Sequence, residues 1–127
     1  ITVGGTIAIN PSTTSSSTAA SQTWSIDVIA PDSDDYRLSG NDRNGSVSGL
    51  DPTVTIVLGD TLNFNVDAPG HPFYLKTQST TGTGNQVSGA TNQGTENGTV
   101  TWTPSATGTY YYICSLHGGM VGTIIVQ

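Results

Sequence analysis

Positive charge is what this chain of 127 residues is shortest of: Arg37, Arg43 and Lys76 are its only basic residues, against nine acidic ones, for a formal net charge of −6. Nucleic-acid binding needs a cationic footprint, and none is available. Docking on an anionic membrane surface fails on the same ground, and a protein partner that docks by electrostatics should bring the basic side. Cysteine is nearly absent. With Cys114 alone, no intrachain disulfide can form, so the core must hold without staples, which one domain of this length can manage. No apolar run approaches the roughly 18 residues of a membrane span, so no membrane insertion is expected. Helical periodicity of useful length and internal repeats are both missing. The chain opens at Ile1 without a signal-peptide pattern. That fits a mature exported product, periplasmic or secreted and so extracytoplasmic, or a surface-exposed part of a larger assembly.

What fills the space is Thr, Ser, Gly and Asn, residues that favour strands and turns over helices. Hydrophobic residues make up only 34% and charged residues only 9%. Disorder usually combines low hydrophobicity with high charge, and here the apolar residues are gathered into short runs. Ile1 to Ile9 has strand-like spacing, and residues 10–22 form a Ser/Thr-rich linker or loop. The strand in residues 1–21 reads as the first of the domain spanning 22–127 or as the tail of a preceding one, the first being favoured, and only that linker sets it apart. Two-residue alternation then recurs: Trp24, Ile26, Val28 and Ala30; a short run at Tyr36 to Leu38; Val54, Ile56 and Leu58; Leu62, Phe64 and Val66; His71 to Thr77; Val100 and Trp102; Tyr110 to Cys114; Val121 to Val126. Asn41 to Gly49 carries turn signals. Gly59-Asp60 reads as the bend of a hairpin joining the runs on either side. Thr80 to Gly98 is a long Gly/Thr/Asn/Gln loop. The pattern predicts an all-β sandwich of two sheets with about seven to eight strands.

The chemistry is concentrated in one segment. Cys114, His117 and Met120 place a thiolate, an imidazole and a thioether in a C-x-x-H-x-x-M pattern. The only other histidine, His71, follows Ala68-Pro69-Gly70 at an expected strand start. Two imidazoles, one thiolate and a weak axial thioether are the donor set of copper electron-transfer centres. Soft sulfur suits Cu(I) and imidazole suits both oxidation states, so little rearrangement accompanies transfer. Gly118 and Gly119 permit the tight turn between His117 and Met120.

The segment G-T-Y-Y-Y-I-C-S-L-H-G-G-M-V-G-T-I-I-V resembles the C-terminal signature of the cupredoxins, the blue-copper superfamily of plastocyanins, pseudoazurins and especially amicyanins, whose short ligand loop it matches in length. The upstream run Val57-Leu58-Gly59-Asp60-Thr61-Leu62 and the later Gly70-His71-Pro72-Phe73 are similar to that superfamily as well. The likeness covers Val54 to Gln127 and hardly touches the first fifty residues. It implies a Greek-key sandwich, one copper ion cycling between Cu(I) and Cu(II), ligation by His71, Cys114, His117 and Met120, and one-electron transport. It also implies redox partner proteins that dock on an apolar face around His117, with the carrier itself a monomer. Two positions depart from the pattern. Pro72 stands where many cupredoxins have an Asn that ties the ligand strands together, and proline has no backbone donor. Leu116 replaces a proline often seen in the loop.

Other readings are weaker. A Cys-His hydrolase needs an orienting third group, and Cys114 and His117 are better used as ligands, so the chain is not expected to be an enzyme. Zinc would accept His₂Cys, but Met is a poor zinc donor. The Ser/Thr-rich linker leaves a second use open: a cupredoxin-like structural or binding module of a larger surface or virion protein, with copper stabilising or incidental. Trp24, Trp102 and the tyrosines read as packing groups rather than electron relays. Asp32, Asp34 and Asp35 read as a solvated turn rather than a calcium site. Asn44-Gly45-Ser46 and Asn97-Gly98-Thr99 match the glycosylation sequon.

Overall fold

A computed structural model describes residues 20–127. The strand expected at Ile1 to Ile9 and most of the Ser/Thr-rich stretch lie outside the described residues. Nine strands and no helix make up the described part: β1 (Thr23–Ile29), β2 (Arg37–Asp42), β3 (Gly45–Leu50), β4 (Val54–Ile56), β5 (Thr61–Asp67), β6 (Phe73–Lys76), β7 (Asn97–Trp102), β8 (Gly108–Cys114) and β9 (His117–Val126). They form two mixed sheets. One runs β3-β2-β1-β5-β7 and the other β4-β9-β8-β6. The alternating pattern therefore reads correctly as an all-β sandwich. The strand beyond the expected seven to eight is β3, formed by residues that turn signals marked as a loop. Asp42 pairs with Gly45 across the β2–β3 bend, where Gly45 adopts a positive φ of 112°.

One local expectation fails. The two alternating runs around Gly59-Asp60 are not a hairpin: β4 pairs in parallel with β9, while β5 pairs in parallel with β1, in the other sheet. The chain crosses between sheets at this bend, because Asp60 turns inward as a buried acceptor. Its carboxylate receives the Val57 and Gln22 amides, the Trp24 indole and a two-point contact from Arg43. Those bonds fasten the β4–β5 bend to the start of β1 and to the β2–β3 bend. Leu58 is left exposed.

The core lies between the sheets. Ile26, Val28, Leu38, Leu62, Phe64 and Val100 come from one, and Ile56, Phe73, Leu75, Tyr112, Ile124 and Val126 from the other. Burying each of the larger apolar side chains is worth about 1.5–3 kcal/mol. Phe73 and Tyr112 stack at 5.8 Å between ring centres, and Phe64 tilts against both. The edge of β6 is covered by the long loop before β7. Gln93 accepts the Leu75 amide and donates to its carbonyl, while Phe73 exchanges backbone bonds with Gly94 and Thr95. An otherwise open strand edge is thereby satisfied.

Candidate metal centre

The strand directions bring the donor-bearing residues to one end of the sandwich. Strand β5 ends at Asp67 and leads through Ala68-Pro69-Gly70 to His71, just before β6. Phe73 pairs with Cys114 at the end of β8, and Cys114 pairs with His117 at the start of β9. Gly70 takes a positive φ of 83° at the bend into His71, and the Gly70 amide donates to the Glu96 carboxylate. A register shift between Ile113 and Cys114 marks a bulge. Bulges re-aim side chains beside sites, and here both residues are fully buried instead of alternating.

The Cys114 Sγ atom lies 3.5 Å from the Nδ1 of His117 and 3.8 Å from the Nδ1 of His71. The imidazole rings stand 5.0 Å apart, centre to centre, and the ligand atoms of the three residues all fall within 4.8 Å of one another. Metal–imidazole and metal–thiolate bonds of about 2.0 and 2.3 Å would hold sulfur and nitrogen about 3.7 Å apart around a three-donor ion. The spacing fits one ion among the three donors, and a thiolate with two imidazoles is a set that suits copper. Cys114 is fully buried and both histidines are half-buried. Met120, the fourth residue expected at the site, is fully buried in the same core as Cys114. Leu116, between the cysteine and its histidine neighbour, is 65% exposed.

Two supports of this end escaped the sequence reading. Tyr36 is fully buried at the head of β2, and its hydroxyl donates to the His71 carbonyl at 2.9 Å, with the Pro72 carbonyl at 3.3 Å. Burial first, and then the neighbouring Cys114, holds its phenol well above the ordinary value, so it remains a donor. Its backbone is clamped by Asp51, which accepts the Tyr36 amide on its carboxylate and donates its own amide to the Tyr36 carbonyl. On the other side, buried Lys76 donates to the carbonyls of Thr80 and Gly82, each at 2.7 Å. Burial pulls its pKa below the ordinary ammonium value. The Gly82 amide in turn donates to the Ser115 carbonyl, and the Ser115 amide to the Pro72 carbonyl. The departure at Pro72 thus leaves its carbonyl in use although it has no amide to offer. Only a lone tyrosine after an acidic turn and a lone lysine in an apolar strand marked these positions in the sequence.

Two mixed sheets in this connectivity, with a Cys-His-His group where β5, β6, β8 and β9 meet, are the architecture of a cupredoxin, and the chain has the cupredoxin fold. Particular solved structures of that fold are similar to it. Reduced rusticyanin superposes with a TM-score of 0.53 at 20% identity, over 87% of this chain and 82% of its own. Rusticyanin from Thiobacillus ferrooxidans gives 0.50 at 21% identity, over 86% and 79%. A Sinorhizobium pseudoazurin is 26% identical over 85% of this chain and 75% of its own, with a TM-score of 0.48. No protein-family model and no curated protein matches the sequence.

Proposed function

We propose that this chain is a mononuclear blue-copper protein that carries single electrons, with one copper ion held by His71, Cys114 and His117 and more weakly by Met120. The observation that carries this reading is the convergence of one thiolate and two imidazole nitrogens within 4.8 Å at one end of a cupredoxin fold. Bound copper supplies the one-electron couple. The protein's part is to keep the donors still: Cys114 is buried at a strand end, His117 begins the next strand, and His71 is fixed through the Tyr36 and Ala68 bonds on its backbone. A rigid donor set lowers the rearrangement that accompanies transfer. Full burial of Cys114 also argues against hydrolytic chemistry, since a nucleophile must reach its substrate.

Electrons would enter and leave at the ligand end, where Leu116 is exposed beside His117. Strand directions gather exposed acidic residues at the same end: Asp32 and Asp34 after β1, Asp67 at the close of β5 and Glu96 before β7. Buried Asp42 and Asp60 sit at the opposite end. A redox partner with a basic rim around an apolar centre fits this face, and brief encounters need only a small interface. An extracytoplasmic setting accords with such a carrier. The test is to load the purified protein with Cu(II) under non-reducing conditions and record visible and electron paramagnetic resonance spectra. We expect an intense sulfur-to-copper absorption band and a reversible one-electron potential, with the band abolished in Cys114→Ser. A colourless loaded protein would sink the reading.

A further inference from the structure

We propose that Tyr36 is a positioning residue of the copper centre: its hydroxyl holds the carbonyls of the His71–Pro72 segment, to which the segment after Cys114 is bonded, and so sets where His71 stands against Cys114. The inference rests on the copper reading above and concerns a part of the chain, before Val54, that the sequence likeness to cupredoxins hardly touches.

The tie is built from one proton donor and a short chain of carbonyls. The Tyr36 hydroxyl reaches the His71 carbonyl at 2.9 Å and the Pro72 carbonyl at 3.3 Å. The Pro72 carbonyl also accepts the Ser115 amide at 3.2 Å. The phenol therefore holds the His71–Pro72 segment, which is joined in turn to the residue after Cys114 by a direct backbone bond. Proline at position 72 has no amide to donate, so the backbone bond between the two segments runs only from Ser115 to Pro72, and the phenol shares that carbonyl. The phenol itself has little freedom to move. Its ring meets Phe73 edge-on at 5.2 Å and Tyr112 at 6.4 Å, and its backbone is held twice by Asp51. Asp51 adopts a positive φ of 47° to make that clamp, a conformation Asp tolerates better than most residues. A group locked in this way transmits its position to the ligand segment. Outer partners of metal ligands orient them, and losing one weakens metal affinity or activity by about 10–100-fold.

The experiment compares Tyr36→Phe with Tyr112→Phe. The first removes the phenol oxygen that faces the ligand segment and keeps the ring packing. The second removes an equally buried hydroxyl, bonded to the Pro52 carbonyl at 2.6 Å, which touches no ligand segment. Copper affinity, absorption and paramagnetic spectra, and reduction potential are measured on copper-loaded protein, and amide hydrogen exchange on metal-free protein. We expect Tyr36→Phe to weaken copper binding about tenfold or more, to change the copper hyperfine splitting and the potential, and to speed exchange at Ser115 and His71. Tyr112→Phe should lower thermal stability by a similar amount and leave the spectra and potential as they are. If Tyr36→Phe loses stability alone, with spectra, potential and Ser115 exchange like those of the unaltered protein, the inference is wrong. A wild-type protein that stays colourless would defeat the copper reading instead, and the positioning role would then be decided by Ser115 exchange in the metal-free pair. Should Tyr36→Phe fail to fold, Asp51→Gly, which removes the carboxylate half of the backbone clamp but keeps the phenol, must give the same spectral shift in weaker form; unchanged spectra there would overturn the role.

Discussion

Replacing Asp60 with asparagine perturbs the end of the sandwich opposite the ligands, and the structure allows its cost to be worked out. One carboxylate oxygen accepts the Gln22 amide and an Arg43 guanidinium nitrogen, and the other accepts the Trp24 indole, the second Arg43 nitrogen and the Val57 amide. An asparagine has one acceptor oxygen, so its amide group must face at least two donors whichever way it turns. A part-buried donor left unpaired costs about 1–3 kcal/mol, and the remaining bonds lose their charge assistance. Allowing for the non-additivity of neighbours, the substitution should destabilise the protein by about 3 kcal/mol. For a domain of this size that lowers the melting temperature by about 10–15 °C. Thermal and urea unfolding of both proteins between pH 2 and pH 8 give a second reading, with those limits only about the range in which carboxylates titrate. Arg43, followed by the surrounding amides and indole, holds the Asp60 carboxyl well below the usual carboxylate range. Stability from a depressed carboxyl is present above its unfolded value of about 4 and fades as the pH falls through the folded value. The gap between the two proteins should therefore narrow in acid. A loss under about 1 kcal/mol, or a gap that stays constant down to the lowest pH, would refute the account of Asp60 as a buried charged hub.

The other predictions can be checked on the same preparations. Gly122 pairs with Tyr112 across β8 and β9, and a methyl group there would overlap the Tyr112 ring. Gly122→Ala should cost about 3 kcal/mol, toward the upper end for overpacking, in urea unfolding of the metal-free protein. Asp51 behaves oppositely to Asp60: burial first, then Asp35 beside it, pushes its carboxyl up to about 7. A raised carboxyl contributes stability that is complete below about pH 4 and lost as the pH climbs through the folded value. Asp51→Asn should flatten that decline between pH 4 and pH 7, roughly the interval between the two values, while still accepting the Tyr36 amide; an unchanged slope would place the titration elsewhere.

By itself the sequence determined the fold class and singled out the donors proposed for the metal centre, because both are written in local patterns. Two-residue alternation needs only neighbours, and it located eight of the nine described strands. The C-x-x-H-x-x-M spacing keeps three donors within seven residues, at the end of β8 and the start of β9, with the turn at Ser115-Leu116 instead of the expected Gly118-Gly119. His71 was the only other imidazole in the chain. What the tertiary structure decided depends on partners far apart in the chain. Gly59-Asp60 looks like a hairpin bend in one dimension. It becomes a crossover because Asp60 finds donors at Gln22, Trp24 and Arg43, which no local pattern announces. Lys76 looks like a solvated charge until the Thr80–Gly82 loop folds over it. Tyr36 looks like a strand residue in a region that the sequence likeness to cupredoxins hardly touches. Its hydroxyl meets the His71 carbonyl 35 positions away only because parallel pairing of β1 with β5 brings the head of β2 to the ligand end.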